Sequence, residues 1–495
     1  MAISPKQSRY DAIVVGSGPN GLAAAIRIAQ AGRSVLVLEK SDSPGGGTRT
    51  EELTEPGFFH DVCSAVHPMG LASPFLSSLN LERFGLEWIH PEIPLVQTLA
   101  DGGSVALHRS VEQTAEGLGD DADARRYRAI FGTTLRDSPK LFSDLLAPPI
   151  GIPRHPFAVA RFGMKAMLPA TLFCERAFQS EPARALLAGN AAHSIQPLNR
   201  PFTNAVGLML QTAAHSHGWP IARGGSGAIW KAMVALLESL GGKVCTNQVV
   251  DNIQKDDLPE ASAYLFDTAP SAMVRITGDR LPPGYKRRLL GYRHGPGSFK
   301  IDLSLDGPIP WTSDECRRAG TLQIASSYNE IVRSESGLNR PSTDRPNETP
   351  EKPFVLLSQP TVFDPSRAPK GKHIAWAYCH VPNGWDGNEA AATDAIIDQI
   401  ERHAPGFRGL IRQVSTMSCS DLERYNPNYI GGDISCGANS LTQILARPLL
   451  STNPYATPAE DIFLCSAATP PGAGVHGMCG YHAAGKALKR IAQAS

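Results

Sequence analysis

The stretch "DAIVVGSGPNGLAAAIRIAQAGRSVLVLEK" at residues 11–40 leaves few folds open to this chain. "YDAIVVG" is a short apolar run rich in β-branched residues and bounded by Gly, which predicts a buried parallel strand. "GLAAAIRIAQAG" carries helix formers and stops at Gly32, a suitable helix terminator. "SVLVLEK" reads as a second strand. Strand, glycine turn, helix and strand in this order give G-x-G-x-x-G its meaning as a dinucleotide site. Gly16 makes the tight turn, Gly18 lets the backbone approach a pyrophosphate, and Gly21 lets the helix pack on the strand. Pro19 and Asn20, inside the turn, are further candidate contacts. The helix N-terminus offers free N–H groups and partial positive charge to phosphates. Glu39, at the end of the second strand, can accept from both ribose hydroxyls and would repel a 2′-phosphate, which disfavours NADP. Lys40 beside it joins the candidates. A glycine-rich turn with an incidental acid is the bland alternative, and the register of strand, helix and acid argues against it.

The next segment, "SDSPGGGTRT" (residues 41–50), separates FAD from NAD. Its glycines, including Gly46 and Gly47, allow close passage of a second part of a cofactor. Thr48 adjoins them, and Arg49 is a fixed cation for phosphates. Such a loop suits a ligand extending beyond the adenosine toward a flavin. The alternative is a surface loop with a solvated Arg. Lys+Arg and Asp+Glu are both 47, so no nucleic-acid partner is expected. The nine cysteines contain no C-x-x-C pair, which argues for free thiols and against a disulfide framework or a metal site. "MAISPKQSRY" has no apolar signal core, and no run of apolar residues is long enough for a membrane span. The expectation is a cytoplasmic globular protein.

Three segments together carry a family resemblance: "GSGPNGL", "LEK…GGGTRTEELTEPGFFHDVCSAVHP" and "CSAATPPGAGVHGMCGYHAA". They resemble the phytoene desaturase-like flavoproteins, within the amine-oxidase-fold group, and look nearest to its uncharacterised dehydrogenase-like branch. "ARGGSGAIWKAM" and "YNPNYIGGDISCGANSLTQILARPLLSTNPYATP" look similar too. The likeness spans most of the chain outside residues 109–219. It implies FAD, oxidoreductase activity and an α/β fold. That fold has a discontinuous Rossmann-like FAD domain (1–75, 221–290 and 420–495). A substrate domain (76–220 and 291–419) adds an antiparallel sheet and a helical cap near 110–220. Val250 resembles the family's adenine-flanking valine. "AYLFDTAP" looks like a sheet strand ending where the chain crosses the cofactor, which adds Thr268. Residues 223–227, "RGGSG", resemble a loop that approaches the cofactor.

"SFKIDLSLDG" and "HIAWAYCHV" alternate, as an antiparallel sheet with one face on a pocket would. The cap region mixes apolar residues, prolines and a few cations. Some family members dock this cap on membranes. Zero net charge and the lack of a polybasic run favour an ordinary packed cap, leaving peripheral membrane contact as the alternative. Residues 333–352 are polar and Pro-rich and read as a loop.

A second G-x-G-x-x-G, "GAGVHG" at residues 472–477, follows another apparent strand. A second nucleotide would need a further strand and a ribose acid. The residues after Gly477 include neither Asp nor Glu. The resemblance instead implies that the last helix points its N-terminus at the flavin ring, where reduction places negative charge. Ala467, Gly474, Val475, His476, Gly477 and Met478 are the contacts expected there. One FAD then accounts for both motifs. With no nicotinamide site, the electron acceptor is oxygen, a quinone or a partner protein.

Dehydrogenation needs a substrate C–H over flavin N5 and an outlet for a proton. His476 and His67 are the candidate catalytic groups, each weighed against a structural hydrogen-bonding role. His193 and His215 are weaker candidates, and the surroundings of Cys479 do not resemble a flavin attachment motif. The leading expectation is an FAD-dependent oxidoreductase acting on a lipophilic, isoprenoid-like small molecule. An amine or cyclic-metabolite oxidase, a non-redox isomerase and a flavin-stabilised binding protein are the alternatives. No nucleophilic triad, metal cluster or Walker motif supports a hydrolase.

Overall fold

A computed structural model describes residues 9–338 and 351–494. The N-terminal decapeptide discussed above therefore lies almost wholly outside the described residues.

A five-stranded parallel sheet forms the first half of the molecule. Its spatial order is Ile462–Leu464, Glu260–Phe266, Arg9–Val15, Val35–Leu38 and Lys243–Cys245. Alternation sorts its side chains to two dry faces, as a sheet covered on both sides requires. Ala12, Val14, Val35 and Val37 pack under the opening helix (Pro19–Gln30). Tyr10, Ile13, Leu36 and Phe266 pack on the other face with Met273 and Ile276. The strands expected from "YDAIVVG", "SVLVLEK" and "AYLFDTAP" are all here. The opening helix ends at Gln30, and Gly32 takes the left-handed conformation just beyond it, at φ 72°.

A second sheet has seven strands in the order Ile411–Met417, Gly297–Leu305, His373–Val381, Val355–Ser358, Ala319–Ile324, Ile93–Thr98 and Ser104–Leu107. Every pairing is antiparallel except Ala319–Ile324 with Ile93–Thr98. The two alternating segments singled out above are neighbours in this sheet. One face buries Phe299, Ile301, Ala375, Ala377 and Leu357 against the helix Glu389–Glu401. The other face turns Leu356, Trp376 and Tyr378 toward a layer of helices. That layer includes Asp121–Leu145, Glu181–Ala192 and Thr203–His217. Asp120 caps the first of these by accepting the Asp123 N–H at 2.8 Å.

Residues 333–352 are not a loop throughout. Residues 333–336 complete the helix Tyr328–Ser336, because Ser327 caps it and Tyr328, Ile331 and Glu335 are buried. Residues 339–350 lie outside the described ones. Among the described residues no single helix is long and apolar enough to cross a membrane.

The closing helix (Met478–Ala494) lies against the opening helix. A methyl group on Gly480 would stand 1.8 Å from the Asn20 carbonyl oxygen, so only glycine permits this approach.

Candidate active site

One cavity of about 620 Å³ reaches from the opening glycine turn to the second one. Gly16, Gly18, Pro19 and Asn20 line one part of it, and Ala473, Gly474 and Val475 another. Both motifs therefore serve the same space. Glu39, Lys40, Gly46, Gly47, Arg49, His67, Val250, Thr268 and Ala467 also line it.

The nucleotide end is built on backbone close to backbone. Gly45 N–H donates to Ser17 O at 3.0 Å, tying the second glycine loop to the first. A Cβ on Gly46 would sit 3.1 Å from Gly18 Cα, and one on Gly47 would sit 2.3 Å from the Tyr429 hydroxyl. Glu39 Oε2 accepts from Ser17 N at 3.0 Å and Ser17 Oγ at 2.6 Å, while Oε1 accepts from Ser41 N at 2.9 Å. Each carboxylate oxygen has two acceptor sites; Ser17 fills both on Oε2, so one site on Oε1 remains for a ribose hydroxyl. Arg49 is less free than the sequence suggests. Its Nη2 and Nε bond Ser43 O at 2.7 and 3.1 Å, and Nη2 lies 3.5 Å from Glu39 Oε1. Its guanidinium also stacks 5.3 Å from the Tyr425 ring centroid. Arg49 thus knits the loop to the acid while still facing the cavity. Glycine cradles, a helix N-terminus, an acid at the ribose position and cavity-facing cations together fit FAD.

Five expected contacts do not line the cavity, each for a local reason. Gly21 spends its N–H on Asp267 Oδ2 at 2.8 Å. Thr48 Oγ1 donates to Gly45 O at 2.8 Å. His476 Nδ1 accepts the Met478 N–H at 3.0 Å and so caps the closing helix, which occupies both residues. Gly477 packs against Ala23. Burial pushes the His476 ring down to about 4, so it is neutral at pH 7.

His67 does face the cavity, but both its ring nitrogens are engaged. Ser226 Oγ donates to Ser64 O, so it accepts from His67 Nε2 at 2.8 Å. Nδ1 is then the acceptor, facing Ser64 Oγ at 3.4 Å. Burial lowers the ring to about 4, against the pull of Asp61. His67 is thus a neutral, clamped wall residue rather than a free base. The clamp continues outward. Asp61 Oδ1 accepts from Ser226 N at 2.7 Å and Thr50 Oγ1 at 2.8 Å, and Oδ2 pairs with Arg367 Nη2 at 3.0 Å. Arg367 and Asp61 are both fully buried. The "RGGSG" loop belongs to this clamp and does not line the cavity. Gly225, at φ 99°, has no room for a Cβ beside Thr50 Oγ1, which would be 2.4 Å away.

The far end is lined by the helical layer and the seven-stranded sheet: His193, Ile195, Leu210, Trp219, Trp376 and Tyr378, among others. Trp376 and Tyr378 stand two apart on one strand, with ring centroids 5.0 Å apart and nearly perpendicular. Burial lowers His193 to about 3, with His380 adding to the effect. None of the charged lining residues, Glu39, Lys40, Arg49, Asp251, Asp267, Arg275 and Arg424, belongs to that helical layer or that sheet. His215 takes no part in the cavity and bonds Tyr127 and Arg109 O instead. Sequence reasoning missed Asp267, Trp376, Tyr378 and Tyr429. An acid directly after a buried apolar strand was the available signal for Asp267.

Residues 14–77 match the NAD(P)-binding Rossmann-like domain family. The chain is 25% identical to the mouse pyridine nucleotide-disulfide oxidoreductase domain-containing protein 2, over 96% of this chain and 92% of that protein. It is 27% identical to a phytoene dehydrogenase of Streptomyces griseus, over 81% and 80% of the two chains. Among solved structures, a putrescine oxidase double mutant superposes with a TM-score of 0.63 at 16% identity, covering 98% of this chain and 99% of that one. The fold is therefore shared with putrescine oxidase.

Proposed function

We propose that this homologue of the phytoene desaturases, an FAD-dependent oxidoreductase, dehydrogenates a neutral lipophilic small molecule held at the apolar end of its cavity. One observation carries the reading: no residue lining that end is charged at neutral pH. A protonated amine or a carboxylate would find no charged lining residue to pair with there, the buried Lys300 behind Trp376 being already paired with Asp302, and its desolvation would cost several kcal/mol (on the order of the effective penalty per buried ion). An apolar substrate pays no such penalty and gains about 25 cal/mol for each Å² it buries.

When bound, FAD supplies hydride acceptance at N5. The chain's own residues bind, orient and exclude water. The opening helix and the two glycine loops would hold the diphosphate, and Glu39 the adenosine ribose. Gly474 and Val475 would meet the flavin end. Trp219, Trp376 and Tyr378 would press the substrate into place. Among the described residues, the side chains facing the apolar end include no free ionised base, because His67 and His193 are neutral and His67 is bonded on both sides. Proton loss then suits a substrate whose oxidised form is a stabilised carbocation, which needs no strong base. Oxygen, a quinone or a partner protein would take the electrons onward.

A second reading, an amine oxidase, is favoured by the Trp376–Tyr378 pair. The two rings are neighbours on one strand and form one wall rather than two facing walls, which weighs toward the lipophilic substrate. The substrate's route is part of the proposal. Ile152, Phe157, Met164 and Met167 are 95, 80, 72 and 58% exposed, on and beside the helix Pro156–Ala166. Ala158, Phe162 and Ala166 bury the opposite side of that helix, so the apolar row faces outward and suits a bilayer surface.

The deciding experiment is anaerobic bleaching of the purified yellow protein by a panel of unsaturated cyclic and linear isoprenoids and a matched panel of primary amines. Mass analysis would follow each reaction. Bleaching by an isoprenoid with loss of two hydrogens supports the reading. Bleaching by amines alone refutes it. An unchanged product mass points to isomerisation.

A further inference from the structure

Asp267 stands at the phosphate end of the cavity, and among the described residues no cation stands beside it. It follows the strand Glu260–Phe266, and its N–H donates to Val15 O at 2.8 Å. That register carries its carboxyl under the opening glycine turn, where Oδ2 accepts the Gly21 N–H at 2.8 Å. All three motif glycines make room for it. A Cβ on Gly16 would lie 2.8 Å from Asp267 O, one on Gly18 2.6 Å from Oδ2, and one on Gly21 3.0 Å from Oδ2. The carboxyl lines the cavity alongside Gly16, Gly18 and Pro19.

This is the place where a helix N-terminus receives a diphosphate. Two carboxylates, Glu39 and Asp267, already flank the turn. Arg49 is committed to Glu39 and to the Ser43 and Pro44 carbonyls. The other titratable groups facing Asp267 are the thiols of Cys436, Cys465 and Cys479, and none of them is a cation. An ionised Asp267 would place a like charge against the diphosphate in a buried setting, whereas a neutral carboxyl has an O–H to offer a phosphate oxygen.

We propose that Asp267 is a cofactor-binding residue that receives the diphosphate of FAD as a neutral acid, so that FAD uptake above neutral pH takes up one proton. Burial, reinforced by Glu39, already holds Asp267 at about 7 in the protein, against the opposing pull of the Gly21 and Gly18 N–H groups. The bound diphosphate raises it further.

The test is FAD affinity between pH 6 and 9, read from the fluorescence of released flavin. Above pH 7 the wild type should lose about tenfold in affinity per pH unit, the slope of one linked proton. Asp267→Asn keeps an acceptor for Gly21 N–H and adds a permanent donor. It should flatten the slope and hold FAD more tightly than the wild type at pH 8.5. An identical slope in the two proteins, or a flat wild-type profile, overturns the proposal. Should Asp267→Asn fail to fold, calorimetric titration of the FAD-stripped wild type at pH 8, in two buffers of different ionisation enthalpy, gives the same answer. About one proton taken up per FAD supports the proposal, and none overturns it. A protein that binds no FAD at pH 6 removes the cofactor assignment as well, so the two failures are distinguishable.

Discussion

The clamp behind His67 makes the sharpest stability prediction. Arg367 Nη2 and Asp61 Oδ2 are 3.0 Å apart and shielded from solvent, and among the described residues no other cation contacts Asp61. At an effective dielectric of 20, that separation corresponds to about 5 kcal/mol of attraction. The net worth of the pair is smaller, because both charges are desolvated. Removing one partner is a different matter, because it strands a buried charge at a cost of about 3–5 kcal/mol. Arg367→Met should therefore destabilise the protein by that amount and loosen Ser226, which accepts from His67. Asp61→Asn should cost a similar amount by stranding Arg367. The double variant Asp61→Asn/Arg367→Met leaves no unpaired charge and should recover at least half of the summed loss. Urea unfolding of the holoprotein, followed by tryptophan and flavin fluorescence, measures all four proteins of the cycle. Single variants costing under about 1 kcal/mol, or a double variant costing the full sum, would refute the reasoning.

Four further outcomes are expected. Glu39→Ala removes the acceptor for Ser17 and Ser41 and should weaken FAD retention by about 1.5–3 kcal/mol, the worth of a charged hydrogen bond; unchanged flavin content on gel filtration would deny Glu39 this role. The folded state holds His67 at about 4 against about 6.5 when unfolded, so its contribution of about 3 kcal/mol is fully present above pH 6.5. That contribution is lost as pH falls toward 4, so the stability gap between wild type and His67→Gln should shrink over this window; a constant gap in denaturation midpoints counts against it. His476→Ala should cost about 1 kcal/mol as a lost cap and leave the rate of flavin reduction unchanged in stopped flow; a slowed rate would restore it as a catalytic group. Phe157→Glu/Met164→Glu should abolish co-sedimentation with phospholipid vesicles at unaltered thermal stability, and equal sedimentation of the two proteins would remove the bilayer from the substrate's route.

What was legible in the sequence is what is encoded over short distances. The strand, turn and helix of residues 9–30 follow from β-branched runs, glycine placement and helix formers within a few residues of one another. The alternation of "SFKIDLSLDG" and "HIAWAYCHV" likewise signals an antiparallel sheet with one face on a pocket, although both of its faces are buried. The groups that make the site specific were not legible, because their partners are remote. Asp267 meets Gly21 across 246 positions, and Arg367 meets Asp61 across 306. No local period signals either pairing. His476 misled for the opposite reason. Its place inside a glycine turn suggested contact with a ligand, but the same turn geometry aims its ring at the backbone of the helix that follows.

Gly480 seats the closing helix on the opening one with no gap, and the two flank a cavity whose ends come from remote parts of the chain. On the ribosome, the segment around Gly16 emerges long before that around Gly474. Until then Ala23 and Ala24 lack the closing segment that packs against them. The cavity is accordingly complete only once the chain around Gly474 has been made.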